Sequence, residues 1–562
     1  MKKKSNLLNV QLVAETFLAA NIQHIVLSPG SRNGALTMQF ANDDRFITHS
    51  IIDERSAAFV ALGIAQKLRQ PVVICCTSGS AAANYYPAVT EAFYQNIPLI
   101  ILTADRPEHL VDNFDGQTIR QKNLYQSHSY YSTQLSEKDD TETLTENMLK
   151  VKDALTKSKQ CMGPVHINMP FSEPFYGSTV EQLITIETLL IPEKEFPEID
   201  IFALSRKWNL AQKKLVLVGL HPTDKHFNQL INSLANDPSV VVLTEVTSNI
   251  HNNLFINKID QIIYNLSSYE LENLKPEILL TIGQNVVSKK IKNFIRNHPP
   301  KEHWHLDEFW QPDTFQVLNE KILFNKNQFL EDFLPYINPK GSNYYHLWDR
   351  IRKEKESKHE TYIEKAPYSD LKIFDKIIKT FPNNSNVHYG NSSVIRYALL
   401  FDNPKSCSYF CNRGTSGIDG STSTAVGCAT VSKDLTILVT GDISFLYDSN
   451  ALWNKNLPKN LRIILINNGG GNIFRFIPGP NETDVVEEFF ETKHHLKTYG
   501  LAETFGLDYW QLDNENEIDN ILDIFYNQDT GRAKILEIDT IRIKNATILK
   551  DYFSYLSLIH IS

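Results

Sequence analysis

The feature that most constrains the fold is a repeated pattern of short apolar, β-branched runs, each ending in a polar or Gly-rich turn. The runs are HIVLSPGS, PVVICCTSGS, PLIILTADRP, KKLVLVGLHP, SVVVLTEV, EILLTIGQN, LTILVTGD, RIILINNGG and AKILEID. Segments with helical periodicity lie between them, such as DERSAAFVALGIAQKL. Strands that alternate with helices predict parallel sheets covered by helices on both faces. The expected fold class is therefore α/β, with three doubly wound parallel-sheet domains.

Two segments interrupt this rhythm and predict domain boundaries. Residues 170 to 200 contain PFSEPFYGST and PEKEFPEID, where Pro and charged residues are frequent. Residues 338 to 368 contain RIRKEKESKHETYIEK, whose dense mixed charge predicts a solvent-exposed helix. A chain of 562 residues is also too long for one ordinary core. We therefore interpret the chain as domains at 1–180, 195–340 and 365–562, and the strand pattern allows the first and third to be variants of one fold.

Net charge and cysteine usage narrow the function class. A net charge of -9 argues against a nucleic-acid-binding protein, which would carry a basic stripe. Six scattered cysteines without paired C-x-x-C sites favour a reduced compartment. The basic start is interrupted by Asn9, Gln11 and Glu15, so a signal peptide is not expected, and no apolar run reaches the about 18 residues of a membrane span. The expected location is the cytoplasm.

Polar residues directly follow two of the strongest strand patterns in the last third of the chain. Asp442 follows LTILVT, and Asn467 and Asn468 follow LRIILI and precede three glycines. The carboxyl ends of parallel strands form the edge where open sheets bind ligands. Carboxylate and amide oxygens suit magnesium, which usually completes its coordination with phosphate oxygens. The hypothesis is a metal-bound diphosphate, and an ordinary surface turn is the alternative for the Asn-Asn-Gly stretch.

Further candidates follow strand patterns in the first third. Ser31 and Arg32 stand where a helix is expected to begin, a position that suits a carboxylate or phosphate; a simple helix cap is the alternative. Glu54 opens a helix of small apolar residues, so burial is expected to raise its pKa, although a Glu there also simply complements the helix dipole. Gln117 lies in the segment after a third strand, where several polar residues suit a loop anchor equally well.

The remaining candidates are basic or lie in Gly-rich turns. Lys289 and Lys290 follow EILLTIGQN, where the alternative is a solvated surface. Ser392 and Arg396 lie in VHYGNSSVIR, and Arg413 precedes glycines at three-residue spacing, which indicates close approach of the backbone to a flat or anionic ligand. The chain contains neither the H-E-x-x-H motif of zincin metalloproteases nor the G-x-S-x-G motif of α/β-hydrolases, which argues against both classes of enzyme.

The pair of motifs GD and NNGGG resembles the thiamine-diphosphate motif, and the metal ligands that this resemblance implies are Asp442, Asn468 and the carbonyl of Gly470. A wider set of motifs is similar to one family of that superfamily, the SEPHCHC synthases of menaquinone biosynthesis. These motifs are SPGSRN, DERSAAF, CTSGSAAANYYPA, LTADRPEHL, GPVHINMPFSEP, NRGTSGIDG, GDISFLYDSNAL and NNGGGNIF. They cover the first and third domains, and the middle domain matches weakly. The resemblance implies a thiamine-diphosphate-binding fold with pyrimidine-binding, middle and diphosphate-binding domains.

The resemblance also implies a reaction. Thiamine diphosphate, with Mg²⁺ or Mn²⁺, would promote decarboxylation of 2-oxoglutarate, and the succinyl carbanion would add to isochorismate to give the succinyl adduct and CO₂. Glu54 would hydrogen-bond the aminopyrimidine and so promote the tautomer that generates the ylid. The cofactor would bridge two subunits, which implies a homodimer or homotetramer.

Site residues transfer from the family position by position. The catalytic and substrate set would be Glu54, Ser31, Arg32, Gln117, Lys289, Lys290, Ser392, Arg396 and Arg413. The cofactor set would be Glu54, Gly417, Ile418, Gly441, Asp442, Ile443, Ser444, Asn468, Ile473 and Phe474. The family usually has Arg where this chain has Lys290, and Lys cannot form a bidentate contact with a carboxylate.

Three other functions are alternatives to the one that this resemblance implies. A different thiamine-diphosphate-dependent 2-oxoacid decarboxylase or acetolactate-type synthase is the nearest alternative, although a substrate with one carboxylate needs fewer cations. A binding protein on a decayed fold is disfavoured because Glu54, Asp442 and Asn468 are intact. A nicotinamide-dependent oxidoreductase would need G-x-G-x-x-G between a strand and a helix, and the chain has none.

Overall fold

The computed structural model describes residues 2–557, and its N-terminal part is built on a six-stranded parallel sheet. The strands of this part, six in the sheet and two (β1 and β8) outside it, are β1 (Lys4–Ser5), β2 (His24–Leu27), β3 (Ile47–Ser50), β4 (Val72–Cys76), β5 (Leu99–Asp105), β6 (Ser132–Gln134), β7 (Val165–Pro170) and β8 (Ser178–Thr179). The sheet order is β3-β2-β4-β5-β7-β6, and β1 pairs antiparallel with β8. The helices are α1 (Leu8–Ala19), α2 (Gly34–Ala41), α3 (Glu54–Leu68), α4 (Ser80–Asn84), α5 (Tyr86–Gln95) and α6 (Thr141–Cys161).

The middle part has a five-stranded parallel sheet. Its strands are β9 (Lys214–Val218), β10 (Val240–Thr244), β11 (Ile278–Ile282), β12 (Glu302–Asp307) and β13 (Glu320–Leu323). Their order is β10-β9-β11-β12-β13. The helices are α7 (Ile201–Leu210), α8 (Lys225–Ala235), α9 (Ile259–Ile262), α10 (Ser268–Leu274), α11 (Lys289–Asn297), α12 (Lys326–Phe333) and α13 (Tyr344–Lys365).

The C-terminal part has a second six-stranded parallel sheet. Its strands are β14 (Asn386–Tyr389), β15 (Ser408–Phe410), β16 (Thr436–Gly441), β17 (Leu461–Asn467), β18 (Asp508–Leu512) and β19 (Lys534–Asp539). Their order is β15-β14-β16-β17-β19-β18. The helices are α14 (Asp370–Lys379), α15 (Ser393–Ala398), α16 (Ser421–Val431), α17 (Asp442–Tyr447), α18 (Tyr499–Phe505), α19 (Ile518–Asn527) and α20 (Asn545–Leu556). A π-helical turn covers Val486–Phe490.

Short 3-10 turns connect many of these elements. They cover Glu108–Leu110, Gln126–His128, Val246–Ser248, Leu334–Tyr336, Ser449–Leu452, Asn472–Arg475, Pro480–Glu482 and Glu515–Glu517. In the described residues, every helix is too short or too polar to cross a lipid bilayer.

Alternate residues of the central strands pack into different cores, as expected for sheets covered on both faces. In β4, Ile74 belongs to one apolar core and Val73 to another. The first of these cores also contains Leu438 of β16, so the N-terminal and C-terminal sheets share it. The predicted fold class, α/β with doubly wound parallel sheets, is confirmed.

Helices α3 and α16 bring the two six-stranded sheets together through glycines. A Cβ added to Gly63 would lie 2.0 Å from the Thr424 carbonyl oxygen, and one added to Gly427 would lie 2.1 Å from the Val60 carbonyl oxygen. Only the missing side chains therefore allow this backbone-to-backbone approach. The contact fixes how the two sheets are placed relative to each other.

The prediction of a solvent-exposed helix near residue 350 was only partly right. Helix α13 buries Trp348, Ile351 and Ile363, and the buried Lys355 donates to the Leu556 carbonyl oxygen at 2.8 Å. The aliphatic stem of a lysine can cover apolar surface while its ammonium finds an oxygen partner. Dense charge in the sequence therefore concealed a packed face.

Candidate active site

The centre of the candidate site is Asp442, which follows β16 directly and begins α17. Its Oδ2 accepts hydrogen bonds from the backbone N–H groups of Gly469 and Gly470, at 2.8 and 2.9 Å. His494 Nε2 lies 3.4 Å from the same oxygen, and this contact raises the pKa of His494. Since β16 and β17 are parallel neighbours with Gly441 opposite Ile466, the polar residues that follow both strands meet at one edge.

Asn468 presents an oxygen to this edge because a buried carboxylate holds its amide nitrogen. Its Nδ2 donates to Asp370 Oδ2 at 2.8 Å, and Thr540 Oγ1 donates to the other Asp370 oxygen at 2.7 Å. Burial raises the pKa of Asp370 to about 6. Asn468 Oδ1 is buried and has no hydrogen-bond partner within residues 2–557. Sequence reasoning missed Asp370, since only its place at a helix start marked it.

A cavity of about 260 Å³ opens beside these two residues. Of the predicted residues, those that line it are Ser392, Ile418, Gly441, Asp442, Ile443, Ser444, Asn468, Gly470 and Phe474. Lining residues that sequence reasoning missed include Asp370, Asn391, Tyr397 and Phe490. The cavity is thus polar at the strand ends and apolar along much of its wall, which suits a ligand with a charged and an apolar portion.

The donor set fits a hard divalent cation. Asp442 supplies a carboxylate, Asn468 an unpartnered amide oxygen, and Gly470 a backbone close to both. A Cβ on Gly470 would lie 2.6 Å from the Glu491 carbonyl oxygen, so glycine is required there. In the described part of the chain, no three His, Cys, Asp or Glu side chains cluster as metal ligands. Oxygen donors with few charges leave coordination positions for phosphate oxygens, as magnesium sites do.

The Gly-rich turn before α16 is held at the cavity by two side chains. Ser444 Oγ donates to the Ile418 carbonyl at 2.7 Å, and Asn391 Nδ2 donates to the Gly417 carbonyl at 2.7 Å. The Ile418 side chain is therefore carried by a backbone anchored on both sides. Ile473, another predicted cofactor contact, is buried and does not line the cavity.

Two of the predicted basic residues lie next to this cavity. Arg413 Nη1 donates to Asn391 Oδ1 at 2.8 Å, and Arg396 donates to the Ser392 carbonyl. Burial, with a contribution from Arg413, lowers the pKa of Arg396. A partly desolvated arginine pair is a favourable place for a carboxylate.

The two lysines of the middle part that were predicted as site residues have different surroundings. Lys289 is exposed at the start of α11. Lys290 Nζ lies 3.7 Å from Asp260 Oδ2 and 4.5 Å from the ring centroid of Phe553. The Lys290 ammonium therefore already has a carboxylate and an aromatic partner in this structure.

The predicted residues of the N-terminal part lie at the edge of their own sheet and do not line this cavity. Glu54 is the first residue of α3, and burial raises its pKa. Arg32 is buried, donates to the Phe171 carbonyl at 2.9 Å and stacks 4.8 Å from the Phe175 ring centroid. Ser31 and Gln117 are exposed. Within one chain, the three predicted metal ligands thus line one cavity, and Glu54 does not line it.

Known proteins resemble this chain over nearly its full length. The family description "Thiamine pyrophosphate enzyme, N-terminal TPP binding domain" matches residues 9–129. Proteins named 2-succinyl-5-enolpyruvyl-6-hydroxy-3-cyclohexene-1-carboxylate synthase are similar to it throughout. The one from Flavobacterium johnsoniae is 45% identical over 97% of this chain and 98% of its own length. The one from Flavobacterium psychrophilum is 46% identical over 97% of this chain and 98% of its own length. The one from Porphyromonas gingivalis is 36% identical over 98% of this chain and 97% of its own length.

Proposed function

We propose a function from one premise: this chain belongs to the family of 2-succinyl-5-enolpyruvyl-6-hydroxy-3-cyclohexene-1-carboxylate synthases. With thiamine diphosphate, it removes CO₂ from 2-oxoglutarate and joins the remaining succinyl unit to isochorismate. The product is 2-succinyl-5-enolpyruvyl-6-hydroxy-3-cyclohexene-1-carboxylate, an intermediate of menaquinone biosynthesis. The enzyme is a thiamine-diphosphate-dependent transferase.

The observation that carries the proposal is the unpartnered oxygen of Asn468 beside Asp442. Burying a polar atom without a partner is unfavourable, so this oxygen is expected to acquire a ligand. Asp442, Asn468 and the Gly470 carbonyl would hold Mg²⁺ or Mn²⁺, whose remaining positions take diphosphate oxygens. When bound, thiamine diphosphate supplies the carbanion-stabilising chemistry, and the protein supplies orientation and electrostatics.

The basic residues are suited to bind the negatively charged carboxylates of the substrates. Both substrates are dicarboxylates, and a buried carboxylate needs charge-assisted partners. Arg396 and Arg413 are within reach of the cavity through Ser392 and Asn391. We assign them to substrate carboxylates, together with Ser31, Arg32, Gln117, Lys289, Lys290 and Ser392.

The position and raised pKa of Glu54 support a site that is completed by a second copy of the chain. Its carboxyl group has a raised pKa and so holds a proton more readily than an exposed Glu, as a hydrogen-bonding partner of the aminopyrimidine should. It does not line the cavity that holds Asp442 in the described chain. We therefore propose a homodimer or homotetramer in which Glu54 of one subunit faces the cavity of another.

We propose a pyrimidine-binding domain at 1–180, a middle domain at 195–340 and a diphosphate-binding domain at 365–562. One parallel sheet lies within each range. The substrates are small molecules, and we propose that the enzyme is cytoplasmic.

A mass-resolved assay of the purified protein tests the reaction. The protein is incubated with thiamine diphosphate, Mg²⁺, 2-oxoglutarate and isochorismate, beside a reaction with pyruvate in place of 2-oxoglutarate. The expected result is the succinyl adduct with 2-oxoglutarate alone. CO₂ release without the adduct, or a preference for pyruvate, would favour another thiamine-diphosphate-dependent decarboxylase or an acetolactate-type synthase.

A further inference from the structure

Glu91, on helix α5 of the N-terminal part, is a buried carboxylate that binds a turn of the C-terminal part. Its Oε1 accepts a hydrogen bond from the Gly414 N–H at 2.7 Å, across 323 positions of the chain. Its Oε2 accepts from the Thr415 N–H at 2.7 Å and from the Thr415 hydroxyl at 2.6 Å. Glu91 is 1% exposed, and a buried carboxylate is tolerated only when such charge-assisted bonds satisfy it. The two oxygens of Glu91 thus fix two consecutive backbone N–H groups of one turn.

The same turn packs directly against the backbone of α5. A Cβ added to Gly414 would lie 2.6 Å from the Glu91 carbonyl oxygen, so only glycine allows this approach. One turn further along α5, Gln95 Nε2 donates to the Cys411 carbonyl oxygen at 3.1 Å and also to the Glu91 side chain. Cys411 and Gly414 lie on either side of Arg413 in the sequence. Helix α5 therefore contacts the chain both before and after this arginine.

Arg413 itself is held by the other two parts of the chain. Its carbonyl oxygen accepts from Asn285 Nδ2 of the middle part at 3.1 Å. In the C-terminal part, Asn391 donates to the Asn412 carbonyl at 2.6 Å and accepts from Arg413 Nη1 at 2.8 Å. Arg413 is buried, and its Nε has no partner among residues 2–557. A buried guanidinium N–H without a partner is unfavourable, so this donor is expected to acquire one from a ligand.

The next residues of the turn have anchors of their own. The Ile418 carbonyl accepts from Ser444 Oγ, and the Gly417 carbonyl accepts from Asn391 Nδ2, both at 2.7 Å. These bonds do not involve Glu91. The predicted cofactor contacts at Gly417 and Ile418 should therefore stay in place when Glu91 is changed, whereas the backbone beside Arg413 should not.

We propose that Glu91 is a positioning residue for substrate binding. It fixes the backbone of Gly414 and Thr415 and so directs the Arg413 guanidinium toward a substrate carboxylate. The inference rests on the proposed function, in which Arg413 binds such a carboxylate. A guanidinium pairs with a carboxylate through directional, often bidentate, hydrogen bonds, so a small displacement of Arg413 weakens the pair. Glu91 acts through Arg413, and a residue of the N-terminal part thereby controls a binding group of the C-terminal part.

Steady-state kinetics of the full-length protein with thiamine diphosphate and Mg²⁺ test this positioning role. Arg413→Met removes the guanidinium, and we expect the KM of one substrate, 2-oxoglutarate or isochorismate, to rise by more than about tenfold. Glu91→Gln keeps the size of the side chain but replaces one acceptor oxygen by an amide nitrogen that cannot accept. We expect it to raise the KM of that same substrate by about tenfold, with kcat within about threefold of normal. Glu146→Gln, at an exposed residue of α6, should change neither constant.

Two further measurements separate a positioning role from a purely structural one. In the double variant Glu91→Gln/Arg413→Met, the KM should equal that of Arg413→Met alone within about twofold, because Glu91 has nothing left to position. Calorimetry should find the affinity of Glu91→Gln for thiamine diphosphate within about threefold of normal, since Gly417 and Ile418 keep their own anchors. A general loss of structure would lower both this affinity and kcat.

A milder variant decides the question if thermal unfolding shows that Glu91→Gln does not fold. Thr415→Val keeps the shape of the side chain and removes only the hydroxyl bond to Glu91, so we expect a rise of about threefold in the same KM. Unchanged KM values in Glu91→Gln and Thr415→Val, or a double variant whose KM rises by the product of the two single effects, would overturn the positioning role and leave the Arg413 assignment intact. Unchanged KM values in Arg413→Met would overturn that assignment and, with it, the role of Glu91. Failure of the unmodified protein to form the succinyl adduct would refute the proposed function itself, and the inference would fall with it.

Discussion

The N-terminal and C-terminal sheets have the same strand order but different chemistry at their carboxyl edges. Numbered within each sheet by chain order, both run second, first, third, fourth, sixth, fifth. At the N-terminal edge, the side chains nearest the ends of β5 and β7 pair with neighbours: Asn168 donates to Asp105 at 2.8 Å, and Gln121 accepts from the Gly79 N–H at 2.8 Å. At the C-terminal edge, Asn468 Oδ1 stays unpartnered among the described residues. Topology thus provides the position of the edge, and the side chains at that edge decide which ligands it can hold.

The two helices that join these sheets differ in how their first turns are stabilised. In α3, the N-cap Asp53 accepts from the Ser56 N–H at 3.0 Å, which is a local contact. In α16, the Ser423 N–H donates at 2.7 Å to Asp448, which lies beyond the next strand and helix. The start of α3 therefore depends on neighbouring sequence, whereas the start of α16 depends on tertiary structure.

Asp442→Ala should have the largest effect, because it removes the carboxylate that is proposed to hold the metal at the C-terminal edge. We expect metal-dependent binding of thiamine diphosphate to weaken by more than about 100-fold, measured by calorimetry with and without Mg²⁺. Asp434→Ala, an exposed residue before β16, is the matched control and should bind normally. Unchanged affinity of the Asp442 variant would contradict the metal assignment.

Glu54→Gln tests the contribution of the N-terminal sheet. The variant should bind cofactor and metal normally, because the proposed metal ligands follow strands of the C-terminal sheet, but it should lose about 10²- to 10⁴-fold in kcat. Steady-state kinetics and calorimetry together separate these effects. Glu108→Gln, at an exposed residue of the 3-10 turn that follows β5, serves as control. Near-normal kcat for the Glu54 variant would show that its proposed activating role is wrong.

Gly63→Ala tests the contact between the two halves. The new Cβ would meet the Thr424 carbonyl at 2.0 Å, and a backbone atom cannot move aside by a rotamer change. We expect a loss of about 1–3 kcal/mol in the free energy of unfolding, measured with urea. Gly500→Ala, where an added Cβ meets nothing within 4 Å, is the matched control. Equal unfolding midpoints for the two variants would show that α3 and α16 can separate without cost.

Asp448→Asn tests whether the contact at the start of α16 makes the stability of the protein depend on pH. Burial raises the pKa of Asp448 from 3.8 to about 7. Because the folded pKa is the higher one, the stability that the protonated form contributes is present below the unfolded pKa and is lost as pH rises through about 7. The variant cannot ionise, so it should escape that loss, which is about 4 kcal/mol at most. Urea unfolding between pH 4 and pH 8 measures this, and parallel stability profiles for both proteins would refute it.

Much of the fold was predictable because the strand signal is local. The run LTILVT forms β16, and Glu54 begins α3, as expected. The same locality explains the failure near α13, where charged residues concealed a buried face that is defined by its packing partners, among them α20 and β10. Residue type and order indicate an element, but they do not state which of its faces another element covers.

The candidate site divides in the same way. The residue types at the strand ends were determined by sequence, since Asp442 and Asn468 directly follow β16 and β17. Tertiary structure alone decided that Asp370 orients the Asn468 amide, and that Glu54 lies outside the cavity of its own chain. It also placed Glu91 against the turn that follows Arg413. Sequence determines which groups follow a strand, whereas hydrogen-bond partners, burial and neighbours depend on segments far apart in the chain that only folding brings together.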